Sequence, residues 1–242
     1  MTHGGMLATM LRPALLLLAL VAGPAFAADG LLARLTAAAP DADPKVLALA
    51  LQARTCAMAS EGAASASRLA VIDYSRPSTE TRLWVFDLKR KALLFAEHVA
   101  HGRGSGENLA QAFSNREGSH QSSLGLFRTA ETYQGGNGYS MRMDGLEPGV
   151  NDAARDRLIV MHGAPYVDPL AALKQGRLGR SFGCPAVRPQ VARQLIDTLK
   201  QGQLLFAYYP DPAWLKESAM LGCGGHAATA TTAKPDRPAS KA

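Results

Sequence analysis

A mostly β domain with peripheral helices and an N-terminal helix is the fold class this sequence predicts. Three observations carry it. From Leu69 onward, short runs rich in branched and aromatic residues recur, separated by polar or proline-containing turns. Ahead of them lies a segment whose apolar residues recur at helical spacing. Near the end of the chain one amphipathic stretch precedes a last apolar run.

Residues 29–62 read as helical. Asp43 is a natural N-cap, Pro44 suits the first helical position, and Val46, Leu47, Ala50 and Leu51 share a face before Gly62 stops the run. RLAVIDYS (68–75), RLWVFDL (82–88) and ALLFAEHVA (92–100) then read as strands, with LKRK (88–91) as a tight connection. Residues 101–123 are rich in Gly, Ser and Asn and read as a long loop, of a length that is often functional. SLGLFRTAETYQ (123–134) and YSMRMDG (139–145) flank the turn GGNG, and RLIVMHG (157–163) is a buried-strand candidate ending in a histidine. DPLAALKQG (168–176) carries cap, proline and terminating glycine in helical order. PQVARQLIDTLKQG (189–202) is amphipathic, with Val191, Leu195, Ile196 and Leu199 on one side, and QLLFAYYP (203–210) is a closing strand. Mostly consecutive strands imply an antiparallel arrangement.

The first 27 residues have the layout of a secretory signal peptide: Arg12 with no acid nearby, an apolar run from about Ala14 to Ala22, then Ala25-Phe26-Ala27. The run is too short for a membrane span, and Ala28 after the cut is no lipid-bearing cysteine. The expectation is a soluble exported protein, periplasmic in a Gram-negative cell. The division expected is residues 1–27 signal peptide, 28–67 helical segment, 68–222 the main β-rich domain and 223–242 a small, polar, disordered tail. The net charge of +6 comes without a dense basic stripe interleaved with aromatics, which argues against a nucleic-acid module. No Cys-x-x-Cys or His-x-x-x-His pair exists, and His98 with His101 lacks a third ligand nearby, so no metal is expected.

Three cysteines, Cys56, Cys184 and Cys223, allow one bridge and leave one free thiol in an oxidising compartment. Cys184 can be a bridged cysteine, a buried small hydrophobe or a nucleophile, and composition alone favours the first two. A nucleophilic thiol needs a base, backbone donors for a developing oxyanion, and access. Gly183 permits a tight turn that presents N–H groups, Pro185 fixes it, and Ser181 adds an orienting hydroxyl. His162, at the end of an apolar run, is the candidate base; the alternative is a satisfied structural histidine. The carbonyl of Gly163 is placed to accept from one ring nitrogen and select the tautomer.

VMHGAPYVDP…GRSFGCPAV resembles the signature of the L,D-transpeptidase catalytic-domain (YkuD-like) family, in which a His-Gly element precedes Ser-x-Gly-Cys. The resemblance runs through DYSRPSTETRLWVFDL, HVAHGRGSG, FSNREGSHQSSLGLF and YQGGNGYSMRMDGLE, over about residues 69–210, and is to the murein L,D-transpeptidase branch. Many members read Ser-His-Gly-Cys-x-Arg. Here Phe182 replaces that histidine and Ala186 the arginine, and whether Arg188, two positions on, stands in for it is open.

The resemblance implies that 68–222 is an L,D-transpeptidase-like catalytic domain with a β-sandwich or barrel-like fold and a thiol mechanism without cofactor. Cys184 would attack the carbonyl of an L-centred residue in a peptidoglycan tetrapeptide stem, His162 would carry the proton, and amides at Gly183 and Cys184 would hold the oxyanion. D-Alanine would leave a thioester, and an amine of a second stem would take the acyl group. Two alternatives stand beside this: hydrolysis of the same bonds as an L,D-carboxypeptidase or endopeptidase, and a non-catalytic, disulfide-stapled wall-binding domain with Cys184 in a bridge. If Cys184 stays free, the bridge left is Cys56–Cys223, tying the N-terminal helix to the end of the domain; otherwise those two are unpaired thiols.

Overall fold

A computed structural model describes residue 1, residues 24–60 and residues 66–223. Most of the leader, the Gly62 stop and all of the tail beyond Cys223 lie outside the described residues. The helical prefix is two helices, α1 (Pro24–Ala38) and α2 (Pro44–Ser60). Pro40 and Pro44, each without an amide hydrogen, bracket the break between them. At the start of α2 the Asp43 carboxylate accepts the Lys45 amide at 2.8 Å, the bond an N-cap makes. The buried face of α2 carries Val46, Leu47, Ala50, Ala53, Cys56 and Ala57.

Eight strands follow in chain order: β1 (Arg68–Asp73), β2 (Leu83–Asp87), β3 (Ala92–Glu97), β4 (Gly125–Gly135), β5 (Gly138–Gly145), β6 (Val160–Gly163), β7 (Ala186–Val187) and β8 (Leu204–Tyr208). They form one sheet in the order β3-β2-β1-β8-β4-β5-β6-β7. Just past β3, the Ala100 amide donates to the Ala186 carbonyl of β7 at 2.8 Å, so the two edges meet and the sheet curls into a nearly closed barrel. This is the barrel-like form of the expected β-rich fold with peripheral helices.

Two expectations need correction. The sheet is not purely antiparallel: β8 lies between β1 and β4, parallel to β1. β6 and β7, joined through the crossover helix α3 (Pro169–Gln175), are parallel as well, so the sheet is mixed, and α4 (Pro189–Leu199) carries the chain from β7 to β8. The run 157–163 becomes strand only at Val160. Leu158 has φ +56°, and its amide and that of Ile159 close the preceding turn onto Arg155 and Ala154.

The helices cover the barrel. α4 buries Ala192, Leu195, Ile196 and Leu199, and each larger side chain contributes about 1.5–3 kcal/mol. After β8 come two short helices that the sequence reading did not assign, α5 (Pro212–Glu217) and α6 (Ala219–Gly222). The Asp211 carboxylate caps α5 through the Trp214 amide, and Pro212 follows it. The same Asp-Pro pair starts α2 at Asp43-Pro44 and α3 at Asp168-Pro169. Cys56 of α2 and Cys223, just past α6, are joined in a disulfide with Cα atoms 5.6 Å apart, and Cys184 is free. In chain-entropy terms such a long-range link contributes up to about 5 kcal/mol.

Below the first strands lies a buried cation, Arg82, with no carboxylate partner among the described residues. It donates to the Val99 and Arg76 carbonyls, lies over the Tyr74 ring, and reaches His101 Nδ1 at 2.7 Å. Arginine only donates, so Nδ1 accepts and Nε2–H faces the Gly106 carbonyl at 3.3 Å. Burial first, then the adjacent Arg82 charge, push the His101 imidazole down to about 4.

This has a consequence for acid stability. The unfolded chain binds a proton at His101 that the folded chain refuses, so stability is full above about pH 6.5 and falls as pH drops toward about 4. The loss expected is about 3 kcal/mol. Urea midpoints at neutral pH and at about pH 4.5, compared between the wild type and His101→Asn, check it. The variant is expected to lose much of the pH slope, and an equal slope would count against the buried neutral imidazole.

Candidate active site

β6 places His162 between Ser140 of β5 and Ala186 of β7. The branched and apolar residues Ile159, Val160 and Met161 are buried, which anchors this short strand and sets the histidine at its end. His162 Nδ1 is 3.0 Å from the Gly163 carbonyl oxygen. A carbonyl only accepts, so Nδ1 carries the hydrogen and Nε2 keeps its lone pair. Burial pushes the imidazole below its ordinary value, offset in part by that hydrogen bond.

The chain between His162 and Cys184 is occupied by α3. Asp168 accepts the Leu170 and Ala171 amides, and Gly176 ends the helix at φ +76°. Beyond it the Leu178 amide is tied to Ser78 Oγ at 3.0 Å, and the chain returns to the barrel.

The cysteine loop is held from within and from below. Ser181 Oγ donates to the Cys184 carbonyl at 2.7 Å and accepts the Gly183 amide at 3.0 Å. Gly183 has φ +127°, and a Cβ there would come within 2.8 Å of Ile159 Cδ1 and 2.9 Å of the Gln121 carbonyl. The position therefore demands glycine for both backbone and space. From the 101–123 segment, Ser122 Oγ donates to the Gly183 carbonyl and accepts the Gly102 amide, both at 3.0 Å. The Ser181 amide bonds the His101 carbonyl at 3.0 Å. The long loop read from the sequence is thus the floor on which the cysteine loop rests.

Cys184 Sγ accepts the Val160 amide at 3.4 Å and faces the Leu158 carbonyl at 3.6 Å. Burial pushes the thiol up, while the Val160 amide, the Arg157 charge and its own amide act the other way. With the imidazole pushed down and the thiol pushed up, both groups rest neutral at pH 7. His162, Ser181 and Cys184 line one cleft of roughly 340 Å³, together with Asn137, Arg157, Leu158, Tyr166, Arg180 and Phe182. A neutral imidazole with a free Nε2 and a thiol in a shared cleft are the parts of base-assisted nucleophilic attack on a carbonyl.

Not every residue proposed from sequence joins this cleft. The Gly183 amide is engaged by Ser181, so of the two expected oxyanion donors only the Cys184 amide, which faces its own sulfur, is left. Arg188 stands elsewhere, in a larger cleft of roughly 740 Å³, in a bidentate pair with Glu97 at 2.7 and 2.8 Å. Cys56 and Cys223 sit at the α2–α6 link. The rim carries Phe182, 62% exposed, with the Arg103 guanidinium 4.4 Å above its ring and His120 against it at 4.8 Å. Sequence reasoning missed Arg157, Tyr166 and Asn137. Tyr166 follows directly in His-Gly-Ala-Pro-Tyr, but Arg157 has no local signature because its partners lie about forty residues earlier in the chain.

Comparison with known proteins gives the family. A family model described as the L,D-transpeptidase catalytic domain matches residues 38–208. No curated protein matches the sequence. Similar solved structures include an L,D-transpeptidase from Mycobacterium smegmatis, at 16% identity, with 60% of this chain and 59% of that one covered and a TM-score of 0.35. One from Mycobacterium tuberculosis H37Rv has 13% identity, 59% and 58% coverage and a TM-score of 0.38. Another, from Stackebrandtia nassauensis, has 12% identity, 76% and 92% coverage and a TM-score of 0.35. The chain spans just under 60% of the length of the two mycobacterial proteins, by the 59% and 58% figures.

Proposed function

This chain belongs to the L,D-transpeptidase catalytic-domain family, and on that premise we propose that it is an exported cysteine acyltransferase acting on peptidoglycan tetrapeptide stems. The observation that carries the reading is the shared cleft of Cys184 and His162, with the imidazole tautomer selected by Gly163. His162 Nε2 takes the Cys184 proton as sulfur attacks the carbonyl of the third, L-centred stem residue. The carbonyl oxygen becomes an oxyanion facing the Cys184 amide. Collapse breaks the C–N bond to D-alanine, whose amine takes the proton from the imidazolium, and a thioester remains on Cys184. The amine of a second stem then attacks the thioester, loses a proton to His162, and restores the thiol with a new cross-link. One amide is exchanged for another, so no external energy source is needed.

Export is part of the proposal. It is supported by the leader-like residues 1–27 and by a disulfide, which persists in oxidising compartments. The wall-binding alternative required Cys184 in a bridge, whereas Cys56 pairs with Cys223 and leaves Cys184 free. The purified protein incubated with disaccharide-tetrapeptide is expected to give cross-linked dimers and free D-alanine, and the Cys184→Ala variant neither. Tripeptide alone from the wild type would replace transfer with hydrolysis, and no product at all would overturn the reading.

A further inference from the structure

Among the described residues, Arg157 is a guanidinium with no acidic partner. Its Nη1 donates to the Ser114 carbonyl and to Ser123 Oγ, both at 2.6 Å. Its Nη2 donates to the Gln121 carbonyl at 2.7 Å and to Ser119 Oγ at 3.1 Å. These four contacts use all four Nη hydrogens, every acceptor is neutral, and among the described residues no carboxylate pairs with it. The positive charge is therefore uncompensated, and it lines the Cys184 cleft. With both Nη groups occupied, the side chain has no open fork with which to grip a substrate carboxylate.

Its position relative to the sulfur is set by the backbone. Leu158, the next residue, turns its carbonyl to Cys184 Sγ, and the Val160 amide donates to the same atom. The Gln121 carbonyl that Arg157 holds is also the atom lying against Gly183. One side chain thus fixes the wall beneath the cysteine loop and sets a full charge on the cleft that holds the nucleophile.

We propose that Arg157 is a positioning residue for Cys184, its charge stabilising the thiolate and its four hydrogen bonds seating the 114–123 segment under the cysteine loop. The catalytic consequence rests on Cys184 being the acyl carrier; the effect on the thiol does not and is measurable without substrate. Burial alone disfavours a thiolate, and the Arg157 charge is one of the few features opposing it.

The test is the rate of iodoacetamide alkylation of Cys184 against pH, in the folded chain with the Cys56–Cys223 disulfide intact. Arg157→Met is expected to raise the midpoint by about one pH unit, making alkylation about tenfold slower at neutral pH. Arg157→Lys, which keeps the charge, is expected to hold the midpoint near the wild type even where thermal stability falls. If Arg157→Met does not fold, Arg157→Gln, with donors but no charge, must show the same rise. A midpoint unmoved in the neutral variants, or equally raised in Arg157→Lys, would overturn the proposal, as would faster alkylation from a loosened loop. Failure of the acyl-carrier reading shows separately, as absence of tetrapeptide turnover with the thiol midpoints unaffected.

Discussion

Replacing His162 by alanine is expected to slow thioester formation on Cys184 by about 10²–10⁴-fold at neutral pH. The Cys184 thiol is buried and pushed up, so little thiolate exists without a base. The imidazole, pushed down by burial, stays neutral through the neutral range and presents Nε2 as the acceptor. The pH dependence separates removal of a base from general damage. The wild-type rate should be flat from about pH 7 to about pH 9, whereas the variant rate should climb about tenfold per pH unit as hydroxide does the work of the imidazole. Rapid-quench mass spectrometry reads both. A variant within about threefold of the wild type at neutral pH would remove His162 from proton transfer.

The second large effect concerns stability. Glu147 is buried between the barrel and the C-terminal helices, and its carboxylate accepts the Leu126 amide at 2.8 Å, Trp214 Nε1 at 3.1 Å and Ser218 Oγ at 2.5 Å. Its own amide donates to Asn151, whose side-chain nitrogen bonds the Leu124 and Leu126 carbonyls. One carboxylate therefore joins β4, α5 and the start of α6. Glu147→Ala strands three buried donors and leaves a cavity, costing about 3–5 kcal/mol, while Glu147→Gln keeps one acceptor and costs less than half of that. Thermal unfolding should fall by about 10 °C for alanine. A change within about 2 °C would mean that the three donors find water or other partners at no cost.

How far the sequence reached depended on whether each signal was local. Asp43-Pro44 and Asp168-Pro169 announced their helices because a cap and a fixed φ act within one turn. Asp211-Pro212 carried the same signal, and α5 was legible but unread. The strand order was not legible: β8 enters the middle of the sheet because β1 and β4 both need a partner, and no residue in QLLFAYYP distinguishes an edge from a centre. At the site, thiol chemistry and above all the family resemblance pointed to Gly163, His162, Ser181 and Cys184, and the fold brings His162, Ser181 and Cys184 to one cleft. Arg188 lies two positions past the place where the family resemblance expects an arginine, and the start of α4 turns it toward Glu97. Arg157 reaches the cleft through carbonyls and hydroxyls of residues 114–123, contacts that only the folded barrel creates. Gly183 looked like an amide donor, and only the Ser181 hydroxyl shows that its N–H is taken.

The claim that Cys184 carries the acyl group is tested most directly by where that group is found. The wild-type protein, quenched in acid during turnover of disaccharide-tetrapeptide and digested, should yield a peptide containing Cys184 heavier by the disaccharide-tripeptide acyl group. The added mass should be released by hydroxylamine and should not form in Cys184→Ala. An unmodified Cys184 peptide while product accumulates, or an acyl group attached elsewhere, would contradict it.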